Sequence, residues 1–444
     1  MSTASSATLA HSGVLEWAPE REQLTSATQP VLRPWLRAQA LNLGRHALAL
    51  RDFQRSEFGE GPEAPTEGHI QAVNELMAKL RVGLTERTER MNRLVNAAIA
   101  EPRPELLAEV GSHKGASHRW VQRIERIWDF YLELFGQRQS GFGGWLLSAD
   151  RIALDCYQHA YMGLGLAKSV PAPAPFNYMR TGFGPATYRR GIKLKQLGRE
   201  LNPFPLIQLP YHRLINPWTL GAILHEVSHN LHSDLGLNRV IPLSIAKRLG
   251  RAGLSTEVVR AWTRWNREIF ADLSGLLLGG PAVVASLMDV VGLGPDIALS
   301  YRPSGVHPIP YLRVLLSVEL LRRIGFEAEA QKYEAAWKAL YPNPASRLPA
   351  ALLKSAKLAM RLVVDAVCYQ PFAALGNKSL SQVYSCGQKE QRMIEEAAHR
   401  LGKGSDPGIV PKRFLIGAAR FALDNRLATP KAIRQNFYRE LSRR

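Results

Sequence analysis

A chain of 444 residues, 46% of them hydrophobic, can bury sizeable cores, and its length predicts two or three units. Its 57 Lys and Arg against 38 Asp and Glu give a net charge of +19, a potential that attracts nucleic acid, anionic lipid or an acidic protein without choosing among them. Cys156, Cys368 and Cys386 are few, odd in number and lack metal-ligand spacing, which argues for a reducing compartment over a disulfide framework. The longest uncharged apolar run, Leu273 to Met288, is too short for a bilayer span and is broken by Gly279-Gly280-Pro281. The first twenty residues contain Glu16 and Glu20 and no basic start, so they do not read as a secretory signal. A cytoplasmic protein with no transmembrane segment is expected.

Residues 1–138 read as helices. From Thr66, a candidate cap, apolar residues recur at Val73, Leu76, Met77 and Leu80, and again at Met91, Leu94, Val95 and Ala98. A second helix is predicted from Ser117 through Val121, Ile124, Trp128, Leu132 and Phe135. The glycines of residues 137–144 suggest a boundary, followed by a helix over 148–162 and a stiff Pro-Ala-Pro-Ala-Pro stretch ending at Pro175. Short strands are predicted around 176–180, 186–192 and 204–211. Pro205 and Pro210 argue for placing the last at a sheet edge, where a peptide could add as a further strand. After residue 310 the chain returns to helix, with segments over 311–324, 327–340, 350–374, 379–401 and 412–427, and a basic tail over 431–444. The expected architecture is mainly α with a small β-sheet (α+β): a helical region 1–138, a core 139–325 and a helical region 326–444.

The residues with chemistry lie in Asn216 to Ser233, where Asn216 and Pro217 suit a helix start. On that helix His225 and His229 are four apart, one turn above each other on one face, at a spacing one Zn2+ can bridge. Glu226 lies next to that face, where a carboxylate can deprotonate a water. A third ligand is required. Were it a histidine six residues past the second, Gly would stand at 232 and His at 235, but the chain has His232 and Leu235. The alternative is Glu268, followed one turn later by Asp272, in a run from Thr256 to Leu278. Glu268 would ligate and Asp272 would accept the other ring proton of His225. His232 would close the site as a fourth ligand and is read instead as a polar residue at the helix end.

The motif His-Glu-Val-Ser-His at 225–229, followed by Glu-Ile-Phe-Ala-Asp at 268–272, resembles the gluzincin zinc metallopeptidases. Within them it is most similar to the HtpX and CAAX-prenyl endopeptidase group, which has a later His-Pro and Arg; here that element is His307-Pro308 with Arg313. The resemblance covers about residues 145–325. It implies a zincin-like fold, a zinc-dependent endopeptidase acting on an extended protein or peptide, His307 as an oxyanion donor and Arg313 as a support for the ligand region. Tyr301 and Tyr311 are further donor candidates. The chain departs from that group in lacking membrane-spanning helices.

A competing reading lies between the ligands. Ile241 to Trp262 has the form helix, turn, helix, with Ala246, Leu249 and Val258 at the positions a DNA-binding unit buries, in a basic chain. A DNA-binding regulator, with nucleic acid as the anionic partner, and an inactive zinc-bearing scaffold that binds protein partners therefore stay open beside the peptidase.

Overall fold

A computed structural model describes residues 28–165, 169–182, 184–195 and 197–443; the opening twenty residues, read above for a signal, lie outside the described residues. The fold is mainly α-helical with one small three-stranded sheet. Contacts divide the chain into two compact units, Met1–Arg51 with Ala78–Glu125, and Asp52–Met77 with Arg126–Arg444. The expected divisions at 138 and 325 do not coincide with these: residues on both sides of 138, and on both sides of 325, share the second unit.

The first unit contains α1 (Gln29–Ala49) and the adjoining parts of α2 (Glu67–Ala100) and α3 (Pro104–Gly136). The predicted stripe on α2 is buried at Leu80, Met91, Val95 and Ala98. Helix α3 begins thirteen residues earlier than its apolar pattern suggested. Its buried stripe there runs through Val110, His113 and Ser117, and two polar residues on the inward face hide the period. His113 meets that burial with its Nε2 2.8 Å from the Arg87 carbonyl oxygen.

In the second unit α4 (Gly143–Leu164) leads into β1 (Phe176–Met179), β2 (Ala186–Tyr188) and β3 (Leu206–Leu209). Asp150 on α4 accepts from the Asn177 backbone N–H at 2.7 Å and from Arg138 Nη1 at 2.7 Å, which ties helix to sheet. The strand order is β1-β3-β2, with β1 parallel and β2 antiparallel to β3. The expected edge position of residues 204–211 is therefore corrected: β3 is central. Pro205 and Pro210 bracket its four paired residues, so neither ring interrupts the ladder, and the Pro205 carbonyl accepts from Phe176 N–H at 2.9 Å. The edge strands are β1 and β2.

The short helix α5 (Tyr211–Ile215) precedes α6 (Gly221–Asp234), α7 (Val240–Arg251), α8 (Thr256–Arg264), α9 (Asn266–Gly279) and α10 (Ala282–Val291). Helices α11 (Pro295–Ala298), α12 (Pro310–Arg323), α13 (Glu327–Leu340) and α14 (Ala350–Val364) follow, and α14 ends in a π-turn, Asp365–Tyr369, before Pro371. The segment predicted as one helix over 379–401 is two, α15 (Leu380–Val383) and α16 (Gln388–Gly402), and α17 (Phe414–Asp424) and α18 (Pro430–Arg443) close the chain. A large apolar core of this unit includes the inward faces of α4, α6, α9 and α12. Among the described residues no helix is long and apolar enough to cross a membrane.

Candidate metal centre

Helix α6 starts later than predicted. Asn216 does not cap it: its side chain donates to the His212 carbonyl, while Pro217–Thr219 form a 3-10 turn, and the α-helix opens at Gly221. Ile223, Leu224, Val227 and Leu231 are buried and seat the helix in the core. His225 and His229 stand beside that stripe, with their Nε2 atoms 3.1 Å apart.

Helix α9 lies against α6 where its residues are small. A Cβ built on Gly275 would meet the His225 backbone nitrogen and the Leu224 carbonyl carbon at 3.4 Å, so the glycine allows close approach of the two backbones. About two turns earlier on α9, Glu268 places Oε1 3.4 Å from His229 Nε2 and Oε2 3.5 Å from His225 Nε2. The donor atoms of His225, His229 and Glu268 all lie within 4.8 Å of one another, a group that could hold a metal ion. The two imidazole nitrogens are 3.1 Å apart, and each faces a different Glu268 oxygen, His229 at 3.4 Å from Oε1 and His225 at 3.5 Å from Oε2, distances close to the edge of about 3.3–3.6 Å in a tetrahedron with ligand bonds of about 2.0–2.2 Å. Two nitrogens and a carboxylate oxygen also suit the chemistry of zinc.

A second layer orients these donors. His225 Nδ1 is 2.9 Å from Asp272 Oδ1, which directs the opposite ring nitrogen at the cluster. Arg313 on α12 grips Asp272 with two hydrogen bonds of 2.8 Å, and its Nη2 is 3.4 Å from Glu268 Oε2. The ionisation states follow from this arrangement. Burial opposes charge on His225, yet the hydrogen bonds with Asp272 and Glu268 raise its pKa to about 10. Burial, with the His225 charge alongside, pushes His229 down to about 3. Burial works against the Glu268 carboxylate too, but His225, His229 and Arg313 hold it well below the usual range. Glu226 makes no such partnership, and burial lifts it to about 7.

All of these residues line one cavity of about 480 Å³, with Gly184 to Thr187 of β2 and its approach forming a wall. His307 lies on the loop before α12, 69% exposed, with Nε2 3.6 Å from Glu268 Oε1. Tyr301 packs on Trp265, and Tyr311 is in the core against Tyr341; neither lines the cavity. His232 is buried, stacked on Phe270 with ring centroids 4.5 Å apart, and burial lowers its pKa to about 3. Arg189 and Arg267, neither of them in the sequence motifs, also line the cavity. Arg189 belongs to a stretch, residues 171–200, that holds six Lys or Arg against Glu200 alone, whereas nothing local in the sequence marks Arg267.

The segment from Ile241 to Trp262 does form a helix pair, α7 and α8, with Ile245, Leu249 and Val258 buried but Ala246 only half-buried. Helix α8 passes through Trp265 directly into α9, so the pair also delivers Glu268, and Arg264 donates to the Gly305 carbonyl at 3.1 Å.

No protein-family model matches this chain, and neither a curated protein nor a solved structure does.

Proposed function

We propose that this chain is a zinc-dependent endopeptidase, with His225, His229 and Glu268 holding the metal. The observation that carries this reading is the convergence of those three side chains, with donor atoms all within 4.8 Å of one another, on a cavity wall shared with a buried carboxylate, Glu226. Zinc held there would supply a Lewis acid able to polarise a carbonyl and acidify water. Glu226, its pKa lifted to about 7, is matched to taking a proton from an attacking water near neutrality and returning it to the leaving amine. His307, exposed beside Glu268, donates to the oxyanion as charge develops on the carbonyl oxygen. Arg313 and Asp272 keep the ligands aligned. The substrate is a protein or peptide in extended form, laid along edge strand β2 at the cavity wall. Three free, buried cysteines support a reducing, cytoplasmic setting, and the net charge of +19 supports association with an anionic partner.

The test is elemental analysis of the purified full chain together with hydrolysis of a peptide library. One zinc per chain, lost in Glu268→Ala, and hydrolysis abolished by a chelator and restored by zinc are the expected results. A protein that takes up no zinc, or one whose metal content is unchanged in Glu268→Ala, overturns the assignment.

A further inference from the structure

The cavity has two chemically different sides. One is apolar, formed by Leu276, Val283, Leu287 and Val290 with Gly221 and Ala222. The other carries Arg189, immediately after β2, Arg267, immediately before Glu268, and His232. Among the described residues neither arginine side chain makes an ion pair or a hydrogen bond. They are near enough to repel: after burial, Arg267 is the main influence lowering the Arg189 pKa. Asp234 is the carboxylate that acts on Arg189, and it accepts instead from the Tyr157 hydroxyl at 2.7 Å. Two further acids of the cavity are committed elsewhere, Asp272 to Arg313 and His225 and Glu268 to the histidines. His232, 1% exposed, adds a buried Nε2 that finds no hydrogen-bond partner. Two like charges and an unsatisfied polar atom on one wall are completed by an anion, and a guanidinium fork fits a carboxylate with two parallel hydrogen bonds.

We infer that Arg189 and Arg267 form a carboxylate-recognition subsite, so that the substrate is an acidic peptide whose carboxylate sits beside the group presented to His225, His229 and Glu268. The carboxylate has two sources, an Asp or Glu side chain or the peptide's own C-terminus. The cleavage part of this inference rests on the peptidase reading, whereas anion binding stands without it.

The experiment measures binding of three fluorescent peptides to the full-length Glu226→Gln protein by anisotropy, and their kcat/KM with the wild type. The peptides are matched except for an internal Glu with an amidated end, an internal Gln with an amidated end, and an internal Gln with a free C-terminus. A peptide with a carboxylate should bind at least tenfold tighter than the neutral one, and Arg189→Gln and Arg267→Gln should each remove most of that preference. Preference for the internal Glu assigns a side-chain carboxylate, and preference for the free end assigns the terminal one. Arg189→Lys and Arg267→Lys, which keep the charge and lose the fork, should retain only part of the preference. They replace the glutamine variants should those fail to fold, and the wild-type comparison needs no arginine variant. Equal binding of all three peptides, or a preference that survives the double arginine variant, overturns the subsite. Arginine-dependent binding with no cleavage of any peptide overturns the peptidase and leaves the subsite, while cleavage at equal kcat/KM for all three does the reverse.

Discussion

His225 Nδ1 and Asp272 Oδ1 stand 2.9 Å apart, and this one contact decides which ring nitrogen faces Glu268 and His229. Asp272 is itself buried and doubly bonded to Arg313, so the imidazole is held by a carboxylate that has nowhere else to turn. Replacing Asp272 by Asn should weaken metal binding about 10- to 100-fold. It should also destabilise the fold, by less than the ~3–5 kcal/mol of a fully uncompensated buried charge, because Arg313 loses its two-bond partner and keeps Glu268 at 3.4 Å. Chelator competition and thermal unfolding measure the two effects; an Asn variant that binds metal as tightly as the native chain removes Asp272 from this role.

Glu226→Gln keeps the shape of the cavity wall and removes the base. Zinc content should stay at that of the native chain while kcat falls about 10²- to 10⁴-fold. Peptide hydrolysis at matched zinc occupancy gives the answer, and undiminished turnover would show that another group takes the proton.

Metal uptake should release protons. His225 holds its proton to about pH 10, against about 6.5 for an unperturbed imidazole. A raised pKa stabilises the metal-free fold fully below about pH 6.5, and that contribution is lost as pH rises through about 10. A cation bound at Nε2 displaces the proton, so between pH 6 and 8 apparent affinity should rise about tenfold per pH unit for each proton released. Calorimetry in buffers of different ionisation enthalpy counts those protons; heats independent of buffer would contradict a protonated His225.

Gly275 separates two kinds of change. A Cβ there meets the α6 backbone at 3.4 Å, so Gly275→Ala should be tolerated. Gly275→Leu forces extra methylenes between α6 and α9 at a cost of about 1–3 kcal/mol and moves Glu268 off the histidines. Metal content should fall in the Leu variant and remain in the Ala variant, and equal metal content in both would mean that this contact does not set the ligand spacing.

His307→Ala should leave the melting temperature and metal content unchanged, since the side chain is 69% exposed. Its effect should appear in kcat, about 10²- to 10³-fold, with little change in KM, as for the loss of one oxyanion donor. A variant with native kcat would reduce His307 to a loop residue.

Some of this molecule was legible without coordinates. The mainly helical chain with a small sheet follows from apolar periods of 3.6 and a few short β-rich runs, and segment 327–340 matches α13 end to end. Local rules failed where a polar residue faced inward or a proline's neighbours mattered. His113 and Ser117 masked the first turns of α3, and Pro205 and Pro210 were counted against β3 although they lie just outside its paired residues.

The amino-acid order alone sets His225 and His229 one helical turn apart, because helix rise and twist are the same in any fold. It also puts Asp272 one turn beyond Glu268 for the same reason. Which helices then meet is a matter of packing: only the approach of α9 to α6 at Gly275 brings Glu268 onto the two histidines, and only α12 brings Arg313 onto Asp272. Arg189 and Arg267 lie far apart in the chain and share a wall solely through that packing. No spacing rule links residues on separate elements, since their separation in sequence carries no fixed distance in space.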